Sequence, residues 1–244
     1  MIRRPLRPER FVKQAGKAAA GNGNGKKAVA AGVELLLLRG DGSNGGAVVD
    51  SSSFARTVSG SGVLSTAQSK YGGSSIAYTP ITRNNTVPAS SDFALGSADW
   101  TIRAWVYVTA YTANGTNFFH ISRSTYNNAD QAVLLGLSPS GTAHGIAYNS
   151  VGVGAVSVSP IGLNAWVHLA FVRDGNTLRL YVNGVQAQAV AFATAVNSIT
   201  DAAPRLGSRW DGDNAVNGYM DDFQFIKGLC LYPSGTTFTP PGAL

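Results

Sequence analysis

The sequence predicts an all-β protein, a two-sheet antiparallel jelly-roll sandwich with an extended N-terminal arm. One observation is a meander at residues 166–185, in which two short strands, 166–173 and 177–182, flank Asp174-Gly175 and a second turn follows at Asn183-Gly184. Asp-Gly and Asn-Gly are strong hairpin signals because these residues tolerate positive φ angles. The other observation is that short apolar segments recur along the chain, and none keeps a helical period over ten residues.

The predicted strands are short and numerous. The strongest covers residues 100–110, where Ile102, Ala104 and Val106 alternate with Trp105 and Tyr107. The others cover residues 34–39, 48–53, 57–60, 63–66, 75–78, 117–122, 132–138, 142–148, 155–158, 187–193, 204–209 and 218–227. More than a dozen strands suit a jelly roll better than a small immunoglobulin-like domain.

Charge divides the chain into two parts. The first 27 residues carry eight basic side chains against one acidic side chain, Glu9, whereas the other 217 residues carry 11 basic and 12 acidic ones. Residues 1–33 are therefore predicted to be a basic arm that contains Pro and Gly, and residues 34–244 a nearly neutral domain. A polybasic segment is attracted to an acidic surface.

Several classes of protein are disfavoured by composition. Cys230 is the only cysteine, so no intrachain disulfide is expected. The N-terminus has no apolar segment typical of a secretion signal, and no stretch approaches the roughly 18 apolar residues of a membrane span. We expect synthesis in a reducing cytoplasm and no membrane partner.

Five ordered segments resemble one known superfamily. They are LLLLRGDGSNG at residues 35–45, QSKYGGSSI at 68–76, DWTIRAWVY at 99–107, the meander at 166–185, and GYMDDFQFIKGLCLY at 218–232 with FTPP at 238–241. These segments are similar to the corresponding strands and turns of laminin-G-like, pentraxin-like domains in the concanavalin A-like lectin/glucanase superfamily. The resemblance implies a concanavalin A-like jelly roll over about residues 34–241.

The superfamily includes lectins, hydrolases, adhesion domains and viral structural modules, so the fold alone does not imply one function. The segments of this chain most resemble the versions found in bacteriophage virion proteins. That resemblance implies a structural protein of the virion.

Catalysis has little support in the sequence. Glycoside hydrolysis needs two carboxyl groups about 5–9.5 Å apart, but the domain has one glutamate, Glu34, and no E-x-D-x-x-E motif. Asp221 and Asp222 are adjacent, and neighbours on a regular strand point to opposite faces. The three histidines, at positions 120, 144 and 168, show no metal-ligand spacing. We expect no enzyme activity.

One loop concentrates polar side chains near an aromatic residue. Trp210, Asp211, Asp213 and Asn214 could hold a sugar by ring stacking and hydrogen bonds, and Tyr126-Asn127-Asn128 is a second such patch. Packing of Trp210 at the rim of the sandwich is the alternative. Asp211, Asp213 and Asp222 form a weak calcium candidate, because calcium binds several oxygen ligands. The alternative is a solvated Asx turn, so no cofactor is expected.

The last prediction concerns the partner of the basic arm. Its candidate anchoring residues are Arg3, Arg4, Arg7, Arg10, Phe11, Lys13 and Lys17. Nucleic acid is not the expected partner, because Phe11 is the only aromatic residue among these charges. We predict a capsid decoration (cement) protein of a tailed bacteriophage, located on the outer surface of the virion. Its partners would be the major capsid protein and copies of itself, in a trimer or similar oligomer. The alternative is a carbohydrate-binding host-recognition module of a tail fibre.

Overall fold

The computed structural model describes residues 32–79, 83–123, 127–150, 152–233 and 237–244, without the side chains of residues 153 and 155–158. The seven candidate anchoring residues of the arm and Tyr126 lie outside this part of the chain. The first strand begins at Val33, the last residue of the predicted arm.

The described residues form two antiparallel sheets. Sheet A has the order β13-β12-β11-β6-β15-β4-β3, and β1 also pairs with β15. Its strands are β1 (Val33–Leu38), β3 (Val63–Ser65), β4 (Ser75–Ala77), β6 (Trp100–Val108), β11 (Trp166–Asp174), β12 (Thr177–Val182), β13 (Val185–Ala191) and β15 (Gly218–Lys227).

Sheet B has the order β10-β9-β8-β7-β14-β5-β2. Its strands are β2 (Ser59–Gly60), β5 (Asn85–Thr86), β7 (Thr116–Ser122), β8 (Gln131–Leu137), β9 (Thr142–Asn149), β10 (Gly152–Pro160) and β14 (Arg205–Leu206). Two short 3₁₀ turns, Ser91–Phe93 and Asn128–Asp130, complete the described elements. No helix of the described residues has both the length and the apolar character needed to cross a membrane.

The core lies between the two sheets and follows the period-2 alternation of the strands. Ile102, Ala104, Val106 and Val108 of β6 all face it and are fully buried. The ring of Phe119 on β7 joins the sheets by contacting Phe223 and Phe225 of β15, with ring centroids 5.1 and 5.4 Å apart. The predicted all-β sandwich is thus confirmed.

A C-terminal strap, residues 228–233 and 237–244, follows β15 and contacts the outer face of sheet A. Tyr232 and Phe238 of the strap stack with ring centroids 3.7 Å apart, and both contact Tyr181 of β12. The amide of Phe238 donates to the carbonyl of Gly184, at 3.0 Å. The strap therefore builds a second, smaller apolar cluster outside the main core.

The prediction of a strand at residues 48–53 is wrong. Asp50 is only 3% exposed, and its carboxylate accepts hydrogen bonds from the amides of Leu37, Ser52 and Arg56 at 3.0, 2.9 and 2.8 Å. A side chain that binds nearby amides replaces the ladder bonds of a strand. The segment is consequently an irregular loop fixed to β1.

The expected opposite orientation of Asp221 and Asp222 is also wrong, because a β-bulge interrupts β15 between Asp221 and Gln224. Met220 and Phe223 both face the core, with two residues between them. Asp222 adopts the left-handed backbone conformation, with φ of +46°. Both carboxylates consequently lie outside the core.

Candidate functional site

The loop between β14 and β15, residues 207–217, contains the first predicted sugar-contact patch, Trp210, Asp211, Asp213 and Asn214, and is called the Trp210 loop. Gly207 and Gly212 have φ angles of +85° and +90°, a conformation that glycine adopts without strain. The amide of Arg209 donates to the carbonyl of Asp213 at 2.7 Å, and the amide of Gly212 donates to the carbonyl of Arg209 at 3.1 Å. These bonds close the loop into a tight turn.

An arginine organises the acidic side chains of this turn. The Nε and Nη2 atoms of Arg209 donate to the two carboxylate oxygens of Asp211, at 2.9 and 2.6 Å. A longer bond of 3.3 Å joins Nη2 to Asp213, whose side chain is 59% exposed. Bidentate arginine–carboxylate pairs fix the geometry of both groups. The turn is therefore held by its own ion pairs.

Trp210 is half-buried and lines a cavity of about 360 Å³ together with Ser122, Arg123, Asp201 and Arg205. The Nε atom of Arg123 donates to both oxygens of Asp201, at 2.9 and 3.1 Å. This hydrogen bond is the main reason why the pKa of Asp201 lies below its usual value. The cavity thus combines an indole ring with groups that donate and accept hydrogen bonds, the combination that sugar hydroxyls and sugar CH faces require.

The imidazole of His120 lies under this region, on the outer face of sheet B. Its Nε2 atom is 3.2 Å from Oε1 of Gln131, and Nδ1 is 3.5 Å from the side chains of Asn117 and Ser122. Burial lowers the pKa of His120 to about 4, and the nearby Arg209 adds to this effect. His120 is therefore neutral at physiological pH and contacts Ser122, one of the residues that line the cavity.

The predicted contact residues do not all reach the same cavity. Asn214 turns away from Trp210 with a φ of +50°, and its amide group donates to the carbonyl of Asn114. Asp213 and Asn214 line a separate cavity of about 320 Å³ with Asn114. Trp210 and Asn214 therefore line two different cavities, whereas the sequence predicts a single patch.

Sequence reasoning missed the partners of Trp210. Arg123 follows β7 and is distant from Trp210 in sequence, whereas Asp201 precedes β14 and Arg205 lies within it. The pairing of Arg205 with His120 brings β14 beside β7. No local motif in the sequence indicates this pairing.

The weak calcium candidate is not assembled. Asp211 and Asp213 pair with Arg209 near sheet B, whereas Asp222 lies on β15 of sheet A and accepts a bond from the amide of Leu244 at 3.2 Å. Within the described ranges, no group of three or more His, Cys, Asp or Glu side chains is arranged to hold a metal ion.

Solved structures share this fold at low sequence identity. Domain 4 of an extracellular GH43 arabinanase from Geobacillus stearothermophilus, solved with arabinotriose, is 19% identical, with a TM-score of 0.58 over 81% of this chain and 93% of that chain. The botulinum neurotoxin serotype G binding domain is 15% identical, with a TM-score of 0.59 over 79% of this chain and 47% of that chain. This protein thus spans about half of the neurotoxin binding domain. At these identities the likeness shows the fold.

No curated protein matches the chain in sequence. A family model does match it, over residues 82–229, which is more than half of the chain. That stretch contains β6 to β15 and the Trp210 loop. The chain belongs to the concanavalin A-like lectin/glucanase superfamily, within its laminin-G-like family.

Proposed function

We propose that this protein is a lectin-like module that binds a glycan in the Trp210 cavity. The observation that carries the proposal is the meeting of a half-buried indole with the Arg123–Asp201 ion pair in one cavity of about 360 Å³. An aromatic ring covers the apolar face of a sugar, while the charged side chains and the hydroxyl of Ser122 can bind its hydroxyl groups.

Two relatives of the fold agree with a carbohydrate ligand. The arabinanase domain was solved in complex with arabinotriose. Cell entry of botulinum neurotoxin type C, whose matching structure is 14% identical with a TM-score of 0.56, depends on interaction with two ganglioside molecules. We extend carbohydrate binding from these proteins to this chain as a proposal.

A glycan array with neutral, acidic and amino sugars tests the proposal. The wild-type protein is expected to bind at least one class, and Trp210→Ala is expected to weaken that binding by about tenfold or more, as for loss of a central aromatic contact. Phe54→Ala is the matched control, because Phe54 is an aromatic side chain that is 40% exposed elsewhere. Absence of binding to every class would show that the proposal is wrong.

The charge division of the chain supports a second proposal, that the module is displayed on a bacteriophage capsid as a decoration protein. The body is nearly neutral, whereas residues 1–27 carry eight basic side chains and one acidic one. Such a segment would pair with acidic side chains of the major capsid protein. Copies of the domain would then associate around a symmetry axis on the outer surface of the virion.

Cosedimentation with purified capsids tests the display proposal. Full-length protein is expected to sediment with capsids, and deletion of residues 1–27 is expected to abolish this binding. Replacing the eight basic residues of this segment with Gln, at unchanged length, separates the effect of charge from that of chain length. Equal capsid binding by the deleted protein would contradict the proposal.

A further inference from the structure

A second aromatic surface lies on sheet A, away from the Trp210 loop. Tyr107 of β6, Trp166 of β11 and Tyr219 of β15 are direct cross-strand neighbours. We call these three residues the aromatic row. Their chain neighbours Val106, Val167 and Met220 face the core, so all three rings lie on the outer face of the sheet.

The rings of the row pack against one another and stay accessible. The centroid of Tyr107 is 5.5 Å from that of Trp166 and 6.0 Å from that of Tyr219, with tilted and edge-to-face orientations. Each side chain is half-buried. Three adjacent strands cover about 10 Å of the sheet, or two strand spacings. Mutual packing limits rotation of the rings, so a ligand that binds them meets a preorganised surface.

At the strand ends, the positions next to the row are polar and uncharged. Thr109, Asn164 and Asn217 lie beyond it at the strand ends, and the hydroxyl of Thr109 donates to Asn217. Among the residues that the structure describes, the hydroxyls of Tyr107 and Tyr219 form no hydrogen bond. At this end the row therefore offers apolar ring faces beside uncharged hydroxyl and amide groups. At its other end lie Asp221, which is buried, and Lys70, whose ammonium group is 4.1 Å from the ring centroid of Trp105.

The row is too small for a stable protein interface. The next residues on the outer face, Ala77 on one side and the Trp105–His168 pair on the other, are buried. The ring of Trp105 is already covered by Tyr71 and Lys70. A specific protein interface buries about 1,000 Å² or more, which three half-buried rings do not supply.

We infer that the aromatic row is a second ligand site, for a neutral oligosaccharide. The sugar rings would stack on Trp166 and the tyrosines, and their hydroxyl groups would bind the tyrosine hydroxyls, Asn164 and Asn217. The site is independent of the Trp210 cavity, because the two lie on different sheets. It would let one domain bind two segments of a polysaccharide, which raises the apparent affinity.

Titration calorimetry with neutral tri- to hexasaccharides of arabinan, xylan, glucan and galactan tests this inference. The expected result is binding by the wild type and a loss of about tenfold or more in Trp166→Ala. Tyr219→Thr is expected to weaken binding as well, and threonine retains the β-propensity of this strand position. Phe54→Ala is the control for loss of an exposed aromatic side chain.

The same titrations on Trp210→Ala separate the two sites. Binding that survives in Trp210→Ala and falls in Trp166→Ala supports the aromatic row, whether or not the Trp210 cavity binds a glycan. Unchanged affinity in both Trp166→Ala and Tyr219→Thr would overturn the inference and leave the proposed function intact. Loss of self-association in these variants, measured by sedimentation and without loss of sugar binding, would overturn it in favour of a protein partner.

Discussion

Replacing His168 by phenylalanine should make the protein less sensitive to acid. His168 is only 1% exposed and lies on the outer face of sheet A, under the C-terminal strap. Its ring contacts those of Trp105 and Phe238, with centroids 5.3 and 5.8 Å away. Neither ring nitrogen has a hydrogen-bond partner among the described residues. A polar ring is therefore buried among aromatic side chains without a hydrogen-bond partner in the described part of the chain.

The sign of the effect follows from the pKa of His168. Burial, with a smaller contribution from the positive charge of Arg103, lowers this pKa from 6.5 to about 3. Between these values the unfolded chain binds a proton that the folded protein does not. Above pH 6.5 His168 is neutral in both states and does not lower the free energy of unfolding. As the pH falls from 6.5 toward 3, the free energy of unfolding decreases progressively, because only the unfolded chain gains the proton. About pH 5 is roughly 1.5 pH units below the pKa of the unfolded chain, so the free energy of unfolding is lower there by about 2 kcal/mol.

Urea unfolding of the wild type and His168→Phe at about pH 5 and about pH 7.5 measures this contribution. The stability gained by the variant should be about 2 kcal/mol larger at the lower pH. Removing the two unpartnered ring nitrogens also changes stability, but by the same amount at both pH values, so this change cancels in the comparison. His144→Phe is a suitable comparison, because His144 is only half-buried and its effect should be smaller. An equal gain at both pH values would refute the reasoning.

Three further predictions concern groups that fix the loops. Asp50→Ala should lower the free energy of unfolding by about 3–5 kcal/mol in urea titrations, because three backbone amides lose their buried acceptor; an effect below about 1 kcal/mol would contradict this. Burial raises the pKa of Asp222 to about 6, so its contribution to stability falls as the pH rises from 3.8 to about 6. Asp222→Asn should remove that component, and an unchanged pH profile would show that Asp222 is ionised when folded. Gly207→Ala should displace the Trp210 loop and weaken glycan binding, because its Cβ atom would lie 2.3 Å from the ring of Tyr78; wild-type binding and stability would disprove this.

Most of the strand pattern was predictable because alternation and turn chemistry agree. The two predicted strands of the meander, residues 166–173 and 177–182, match β11 and β12, and the turns of the meander have positive φ angles at Gly175, Asn183 and Gly184. The two residues of β5 were missed, because a pair of residues cannot show alternation. The loop at residues 48–53 was misassigned because its two adjacent valines resemble a strand, and only the structure shows that Asp50 binds the amides around it.

The candidate site was predictable only in part. Trp210 could be selected from the sequence because it is an aromatic residue in a polar loop. Its cavity partners Arg123 and Asp201 could not, because their contact depends on how sheet B brings distant segments together. The same holds for the aromatic row. Tyr107, Trp166 and Tyr219 belong to three strands, and a pattern within one strand does not reveal which residues face each other across strands.

The β-bulge in β15 shows how one residue sets both the surface and the core. Before the bulge Tyr219 pairs with Tyr107, and after it Phe225 pairs with Ile102, so the register shifts by one residue between Asp221 and Gln224. A one-residue shift in a regular strand exchanges its two faces. Because Asp222 is the extra residue, Met220 and Phe225 both reach the core while Tyr219 remains outside. The bulge also lies where the neighbour of β15 changes from β4 to β1. The outer surface at Tyr219 and the packing of Phe225 therefore depend on the same extra residue.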